Sequence, residues 1–308
     1  MQALVTTGRG QLELELADVA EPRPHSDETL VALAATSLNA GEVRNIADSP
    51  AGTVLGWDVA GTVVEAAADG TGPAIGTRVV GLVGEGAWAA RVAVPTHALG
   101  VVPDAVTFSE AATLPIAGLT AWRALELGGL LLGRRVLVTG GAGGVGRIAI
   151  QLAHRAGAQV TAVVGRPERA EGLAALGADT VAIGIEDAHD TYDVVLESVG
   201  GASLTHALNH LAEQGILVTY GRSSHEAGSV DPTWFLTHSG AAMVGLLVFT
   251  EVEQRRLGTA QLDQMMQLIA NRHLDPQVSL EVSWRDATSA AQALMDRNVA
   301  GKAVLHVD

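Results

Sequence analysis

The sequence predicts an α/β protein in which a β-rich unit accompanies a doubly wound parallel sheet, and three observations carry that prediction. The first hundred residues alternate short apolar runs with Gly, Pro and Asp clusters. From Gly133 onward, strand-like and helix-like segments alternate, as a parallel sheet with helices on both faces requires. A glycine-rich turn, Gly140-Gly-Ala-Gly-Gly-Val-Gly146, joins one such strand to one such helix. With 308 residues, 48% of them hydrophobic, the chain has material for two domains and a substantial core.

The elements follow in order. Residues 12–16 alternate apolar and acidic side chains with period two, the signature of a half-buried strand. Further strands are expected at 29–35, 53–65, 78–83 and 88–94, with little helix among them. Ser109 is a plausible N-cap, Pro115 interrupts the helix that it starts, and a second helical run covers 119–127. The alternating region then predicts strands at 135–139, 159–164, 180–183, 192–197, 216–220 and 242–249, with helices at 145–156, 168–176 and 204–212. The tail reads as helix 261–271, strand 278–282, helix 288–297 and strand 303–307. It is too short to fold alone and is expected to complete the first domain. The expected division is 1–116 with 251–308 for one domain and 117–250 for the other.

Composition excludes several functions. Without cysteine there is no disulfide framework, iron–sulfur cluster, thiol nucleophile or thiolate zinc site. A net charge of −15 argues against a nucleic-acid groove, which needs clustered cations. Lys302 is the only lysine, so Schiff-base chemistry has one candidate, near the C-terminus, and is not expected. The longest apolar runs are too short to span a bilayer, and the start lacks the basic and apolar regions of a signal peptide. A cytoplasmic protein is expected.

Within the glycine turn, Gly141-x-Gly143-x-x-Gly146 has dinucleotide-binding spacing. The first glycine allows the tight turn, the second lets backbone approach a pyrophosphate, and the third lets helix and strand pack closely. The next strand ends Val164-Gly-Arg-Pro-Glu-Arg169, with no carboxylate at its tip to bind a ribose 2′-hydroxyl. Arg166 and Arg169 stand instead where a 2′-phosphate would lie, and a guanidinium fork suits phosphate oxygens. This reading favours NADPH; the alternative leaves both arginines solvated, with Arg169 paired to Glu168 or Glu171.

Five stretches together resemble the medium-chain dehydrogenase/reductase superfamily, in its zinc-independent quinone oxidoreductase and enoyl reductase branch. They are Gly56-Trp-Asp-Val-Ala-Gly-Thr-Val63, Gly86-Ala-Trp-Ala-Ala-Arg-Val-Ala-Val-Pro95, Ala111-Ala-Thr-Leu-Pro-Ile-Ala-Gly-Leu-Thr-Ala-Trp122, Val136-Leu-Val-Thr-Gly-Gly-Ala-Gly-Gly-Val-Gly146 and Asp193-Val-Val-Leu-Glu-Ser-Val-Gly-Gly201. The resemblance implies a GroES-like catalytic domain plus a Rossmann cofactor domain, and a homodimer joined through the last Rossmann strands. It implies that Gly143, Gly144, Val145 and Gly146 meet the pyrophosphate, and that Gly165, Arg166 and Arg169 meet the 2′-phosphate. Ser198, Gly221, Arg222 and Ser223 would lie beside the adenosine half. Thr120, Leu247, Val248 and Phe249 would lie near the nicotinamide.

Zinc-dependent relatives carry a cysteine and a Gly-His-Glu segment where this chain has Ser37-Leu-Asn-Ala-Gly-Glu42 and Gly56-Trp-Asp58, so no metal site is expected. His206 and His210 are four apart on an expected helix, a ligand-pair spacing without an evident third ligand. Hydride transfer to a small planar quinone or α,β-unsaturated carbonyl then needs donors where charge develops. Asn39 and Arg44 are the catalytic candidates. Asn39 either orients a carbonyl or the nicotinamide ribose, or caps a turn; Arg44 either stabilises an enolate or binds an anionic group, or neutralises Glu42 at the surface. Both tyrosines, Tyr192 and Tyr220, fall in the expected cofactor domain, which leaves no evident proton donor and favours quinones and activated enones. Trp57, Trp88 and Phe249 are candidates for a pocket wall, and core packing explains each about as well. The alternatives to this reductase are a pathway-specific enoyl or ketone reductase, and a catalytically silent NADPH-binding sensor.

Overall fold

Strand Glu28–Leu38 organises the first of two units in the computed structural model, which describes residues 1–308. It pairs antiparallel with Asp58–Glu65, Arg91–Pro95 and Lys302–His306. The main path of this seven-stranded sheet runs Val278–Ser283, Lys302–His306, Glu28–Leu38, Asp58–Glu65, Arg78–Leu82, Leu99–Val101. A separate hairpin pairs Gln2–Thr6 with Leu14–Asp18. The unit comprises Met1–Leu119 together with Phe249–Asp308, so the C-terminal segment completes the sheet that the N-terminal segment begins.

One core of this unit gathers Leu38, Trp88, Trp284 and Leu305 with Val43 and Ile46 of helix Ala40–Asp48. Those two side chains are three apart and face Ala287, Ala290 and Ala291 of helix Ala287–Met295. The sequence reading placed little helix here; Gly41, Asn45 and Asp48 lower the local propensity, and burial of Val43 and Ile46 overrides it. Helix Phe108–Ala112 is capped by Thr107, whose side chain accepts from the Glu110 N–H, rather than by Ser109. Ser109 instead donates to Glu281, which also meets His306. A new helix, Pro115–Leu127, then begins on Pro115.

The second unit, Thr120–Val248, is a six-stranded sheet with every pairing parallel. Its order is Thr180–Ile183, Gln159–Val164, Arg135–Val138, Tyr192–Glu197, Leu211–Thr219, Ala242–Gly245. The chain starts at Arg135–Val138, moves outward on one side, then returns to Tyr192–Glu197 on the other. This reversal is the switch point beside which doubly wound folds bind ligands. Val136, Leu137, Val138, Val194, Val195 and Leu196 are all buried, as central parallel strands covered on both faces require. No helix is long and apolar enough to cross a membrane.

The structure corrects several expected elements. Residues 168–176 form a 3-10 turn, Pro167–Ala170, followed by further turns rather than a helix; Gly172, at φ +78, breaks the run. The strand expected at 242–249 ends at Gly245, and helix Val248–Glu253 follows, because a short apolar run does not distinguish strand from helix. The strand expected from 53 starts at Asp58, since Gly56 turns the chain at φ +101. A Cβ at Gly56 would stand 2.3 Å from Trp88 Cδ1. Gly56→Ala should therefore cost about 2–4 kcal/mol from left-handed backbone and overpacking together. The cost will appear as a lowered urea midpoint with an unchanged slope.

Candidate active site

The glycine turn in the second unit is built by close contact between backbone atoms. Gly140, one residue before the predicted motif, carries the positive φ of +62, and a Cβ there would stand 2.5 Å from Ser198 Oγ. A Cβ on Gly146 would stand 2.5 Å from Gly140 O, so helix Gly144–Arg155 packs directly on the turn. Gly143 N–H donates to Gly140 O at 2.9 Å, and the first intrahelical bond runs from Arg147 N–H to Gly143 O at 2.9 Å. The N–H groups of Gly144, Val145 and Gly146 precede that bond, the arrangement by which helix N-termini take phosphate.

Two arginines stitch the following loop to this turn. Arg169 donates to Ala142 O at 3.1 Å, and Arg147, almost fully buried, donates to Glu171 O at 2.8 Å. Gly165 and Arg166 are exposed at the start of the loop. Arg147 was missed in the sequence; its only signal is a cation one turn into a helix that is otherwise apolar on its inner face.

Ser198 joins the same group of atoms. Its hydroxyl donates to Thr139 O, its N–H donates to Thr139 Oγ1, and its carbonyl accepts from Ser223 N–H. Gly221 lies against Ser198, and Arg222 against Gly200. Buried Glu197 fixes the loop by accepting from the N–H groups of Val199 and Gly200 and from Ser203 Oγ. Tyr220, beside Ser198, has its phenol pushed up by burial and stays protonated. Thr120 lies on helix Pro115–Leu127, while Leu247 and Val248 follow the last strand of the sheet.

In the first unit, five polar side chains meet in the interior. Antiparallel register sets Ala303 opposite Leu38, which brings Lys302 to Asn39. Lys302 Nζ donates to Asn39 Oδ1 at 2.5 Å, and to Asp58 Oδ2 and Leu38 O at 3.4 Å each. Asn39 Nδ2 donates to Asp58 Oδ2 at 2.8 Å and to Glu42 Oε1 at 3.1 Å. Asp58 also accepts from Ser37 Oγ and, at 2.8 Å, from Ile116 N–H. Glu42 reaches back to accept from the Asn39 N–H at the start of helix Ala40–Asp48. Burial, reinforced by Asp58, holds the Glu42 carboxyl well above the ordinary carboxylate range. Lys302 and the Asn39 bonds offset this only in part.

These contacts revise the readings of both catalytic candidates. Both N–H groups of the Asn39 amide are committed to carboxyls, so it has no donor for a substrate carbonyl; the second lone pair of Oδ1 is its remaining capacity. Arg44 does not neutralise Glu42 at the surface, because Glu42 is fully buried. Two residues on, about 200° around the helix, Arg44 is half-buried. Burial and the nearby Arg297 guanidinium lower its pKa.

Trp57 and Phe249 form an edge-to-face pair with ring centroids 5.1 Å apart, both half-buried. Trp88 does not join them; it lies in the core with no exposed surface. His206 and His210 stack on each other, and each ring nitrogen in contact meets a backbone carbonyl. No three His, Asp or Glu side chains are grouped to hold a metal ion.

Two measurements check this geometry. A Cβ at Gly41 would stand 2.6 Å from Trp57 Cη2, so Gly41→Ala should displace the ring. Expected are a changed tryptophan emission maximum and destabilisation of about 1–3 kcal/mol. Glu42 binds a proton in the folded state that the unfolded chain has released above about pH 4.3, so stability falls as pH rises from there toward the raised pKa. Glu42→Gln should remove up to about 1.4 kcal/mol per pH unit of that slope, read from urea midpoints across the pH range.

The chain is similar to known proteins along most of its length. Residues 25–104 match the alcohol dehydrogenase GroES-like domain, and residues 176–305 match a zinc-binding dehydrogenase domain. A 2-methylene-furan-3-one reductase of Solanum lycopersicum is 38% identical over 210 residues, covering 61% of this chain and 54% of that protein. The chain thus spans about half the length of this relative, and a far smaller share of the polyketide synthases that it also matches. A quinone oxidoreductase from Coxiella burnetii superposes with TM-score 0.86 at 27% identity, covering 100% of this chain and 99% of the other. A mycobacterial protein solved in complex with NADPH superposes with TM-score 0.89 at 27% identity, covering 100% of both chains. With the glycine turn on a doubly wound sheet and the β-rich unit beside it in sequence, the chain belongs to the medium-chain dehydrogenase/reductase superfamily, in its zinc-independent quinone oxidoreductase and enoyl reductase branch.

Proposed function

We propose that this chain is an NADPH-dependent reductase that transfers hydride to a quinone or an α,β-unsaturated carbonyl compound. The observation that carries the reading is the glycine turn. Its backbone leaves no room for side chains at Gly140 and Gly146, and the loop bearing Arg166 and Arg169 is tied to it. These residues fit a dinucleotide phosphate. Gly141, Gly143, Gly144, Val145 and Gly146 would hold the pyrophosphate, and Gly165, Arg166 and Arg169 the 2′-phosphate. Ser198, Gly221, Arg222 and Ser223 would flank the adenosine half, and Thr120, Leu247, Val248 and Phe249 the nicotinamide half. The mycobacterial neighbour solved with NADPH supports this cofactor, and the names of the tomato reductase and the Coxiella quinone oxidoreductase support the acceptor class.

When bound, NADPH supplies a hydride from its nicotinamide ring. The chain's own residues bind and orient. Trp57 and Phe249 offer planar apolar surface to a planar acceptor. Burial raises the pKa of Tyr192 and of Tyr220 in the second unit and makes both weaker proton donors, and in this reading solvent supplies the proton that completes reduction of an enone. A quinone tolerates this because its reduced form leaves as an anion. The matches to polyketide synthases favour, as a second reading, an enoyl reductase of a specialised pathway.

The working assembly is a homodimer. Strand Ala242–Gly245 is the sheet edge, with one side unpaired, and Met243 and Leu247 are exposed beside it at 38% and 61%.

Tryptophan quenching by NADPH and NADH tests the phosphate reading. NADPH should bind about 10–100-fold more tightly, and Arg166→Ala should remove most of that preference. Equal affinity for both cofactors, unchanged in the variant, defeats it. A panel of quinones, enones and acyl thioesters then separates the acceptor classes.

A further inference from the structure

Arg44 holds its charge half-buried on helix Ala40–Asp48, and its Nε is buried with no hydrogen-bond partner. A buried N–H without an acceptor costs free energy until one reaches it. Arg297, just past the end of helix Ala287–Met295, is a second cation, close enough to lower the Arg44 pKa. We propose that Arg44 and Arg297 bind the carboxylate of an acceptor whose conjugated part lies against Trp57 and Phe249. The site thereby selects an anionic α,β-unsaturated carbonyl compound. Reduction of that compound rests on the reductase reading above; the anion site itself does not.

Helix geometry brings the cation to the aromatic pair. Residues three apart share a face, and Arg44 follows Gly41 at that spacing. A long helical side chain leans toward the N-terminus and covers the preceding turn, which carries Arg44 back toward Gly41. The Trp57 ring covers the same turn: a Cβ on Gly41 would stand 2.6 Å from its Cη2 and 3.0 Å from its Cζ3. Trp57 in turn meets Phe249 edge to face. Arg44, Arg297, Trp57 and Phe249 all belong to the first unit.

The acids nearest in sequence do not complete the cation. Glu42 and Asp58 are fully buried and bonded to Asn39, and Asp296 accepts from Gln292. Asp48 is exposed one turn beyond Arg44, against the direction of its lean. Burial and Arg297 both disfavour the charge on Arg44, and no carboxylate offsets them. An incoming carboxylate supplies that counter-charge, and guanidinium forks suit it because they donate paired charge-assisted bonds. A neutral quinone leaves both cations unanswered. In the reduction the carboxylate is a spectator. The C=C π bond breaks, one carbon gains a hydride from NADPH and the other a proton from solvent, and the carboxylate departs unchanged.

Two acids and their methyl esters test the site in the full chain. Levulinate, which is saturated, is titrated by calorimetry and needs no turnover; β-acetylacrylate, its unsaturated counterpart, is followed through NADPH consumption. Levulinate should bind at least about tenfold more tightly than its ester, and Arg44→Met should bring the two within about twofold. The kcat/KM ratio of β-acetylacrylate to its ester should fall by a similar factor in that variant, since intrinsic reactivity cancels between the two proteins. Equal affinity for acid and ester in the wild-type chain overturns the proposal, as does a preference that Arg44→Met leaves unchanged. Equal loss of kcat/KM on acid and ester, the mark of an enolate-stabilising role, overturns it too. If Arg44→Met does not fold, Arg297→Gln at the surface carries the test: a preference reduced about threefold is expected, and an unchanged one overturns the proposal. Selective binding of levulinate without turnover of either unsaturated compound would bring down the reductase reading and leave the anion site standing.

Discussion

The ion pair between Lys302 and Asp58, 3.4 Å apart in the interior of the first unit, is the contact around which that unit is arranged. Taking both charges out of water costs several kcal/mol, and only dense hydrogen bonding makes such a pair tolerable. Asp58 supplies it by gathering Ser37 and Asn39, the Ile116 N–H and Lys302 from three separate segments. A second carboxyl, Glu42, is buried in the same cluster, and two anions facing one ammonium would leave a net buried charge. Burial and Asp58 act against this by raising the Glu42 pKa well above the ordinary carboxylate range. The arrangement also enforces register, since a one-residue slip of Lys302–His306 against Glu28–Leu38 would turn the ammonium to the other face of the sheet.

The second unit builds its proposed phosphate site on a turn of backbone. Its lack of side chains is what lets strand and helix converge there. The polar work is done by groups that fix the surrounding loops. Glu197 holds residues 198–200, Arg147 holds residue 171, and Arg169 returns to residue 142. Arg166 is left at the exposed end of that braced loop. The first unit therefore positions through a side-chain network, and the second through backbone donors.

Much of this was readable in the sequence where the signal was local. The glycine spacing, the strand that precedes it and the arginines at the next strand tip are consecutive residues under one steric or electrostatic demand. Local signals failed where two conformations satisfy the same pattern. Residues 168–176 have helical spacing, but Pro167 and Gly172 hold them in turns; residues 246–249 are apolar enough for a strand yet lead into a helix. Helix Ala40–Asp48 shows the opposite error, a weak helix former stabilised by burying Val43 and Ile46. For Trp88, residue type left pocket wall and core packing equally open, and Gly56 leaves room for its ring in the core.

The sequence by itself determined the α/β class, the dinucleotide turn and the absence of cysteine chemistry, because each depends on residue identity or on spacing within a few positions. Tertiary structure decided what Asn39, Glu42 and Lys302 do. Read singly, Asn39 was an orienting residue or a turn cap, Glu42 the surface partner in one of the two readings of Arg44, and Lys302 the one lysine, near the end of the chain. Strand pairing across more than 240 residues buries them together with Asp58, where low dielectric strengthens the interactions of three ordinary polar groups. No sequence window contains that cluster, so the hydrogen-bond partners of the Asn39 amide and the raised pKa of Glu42 could be decided only there.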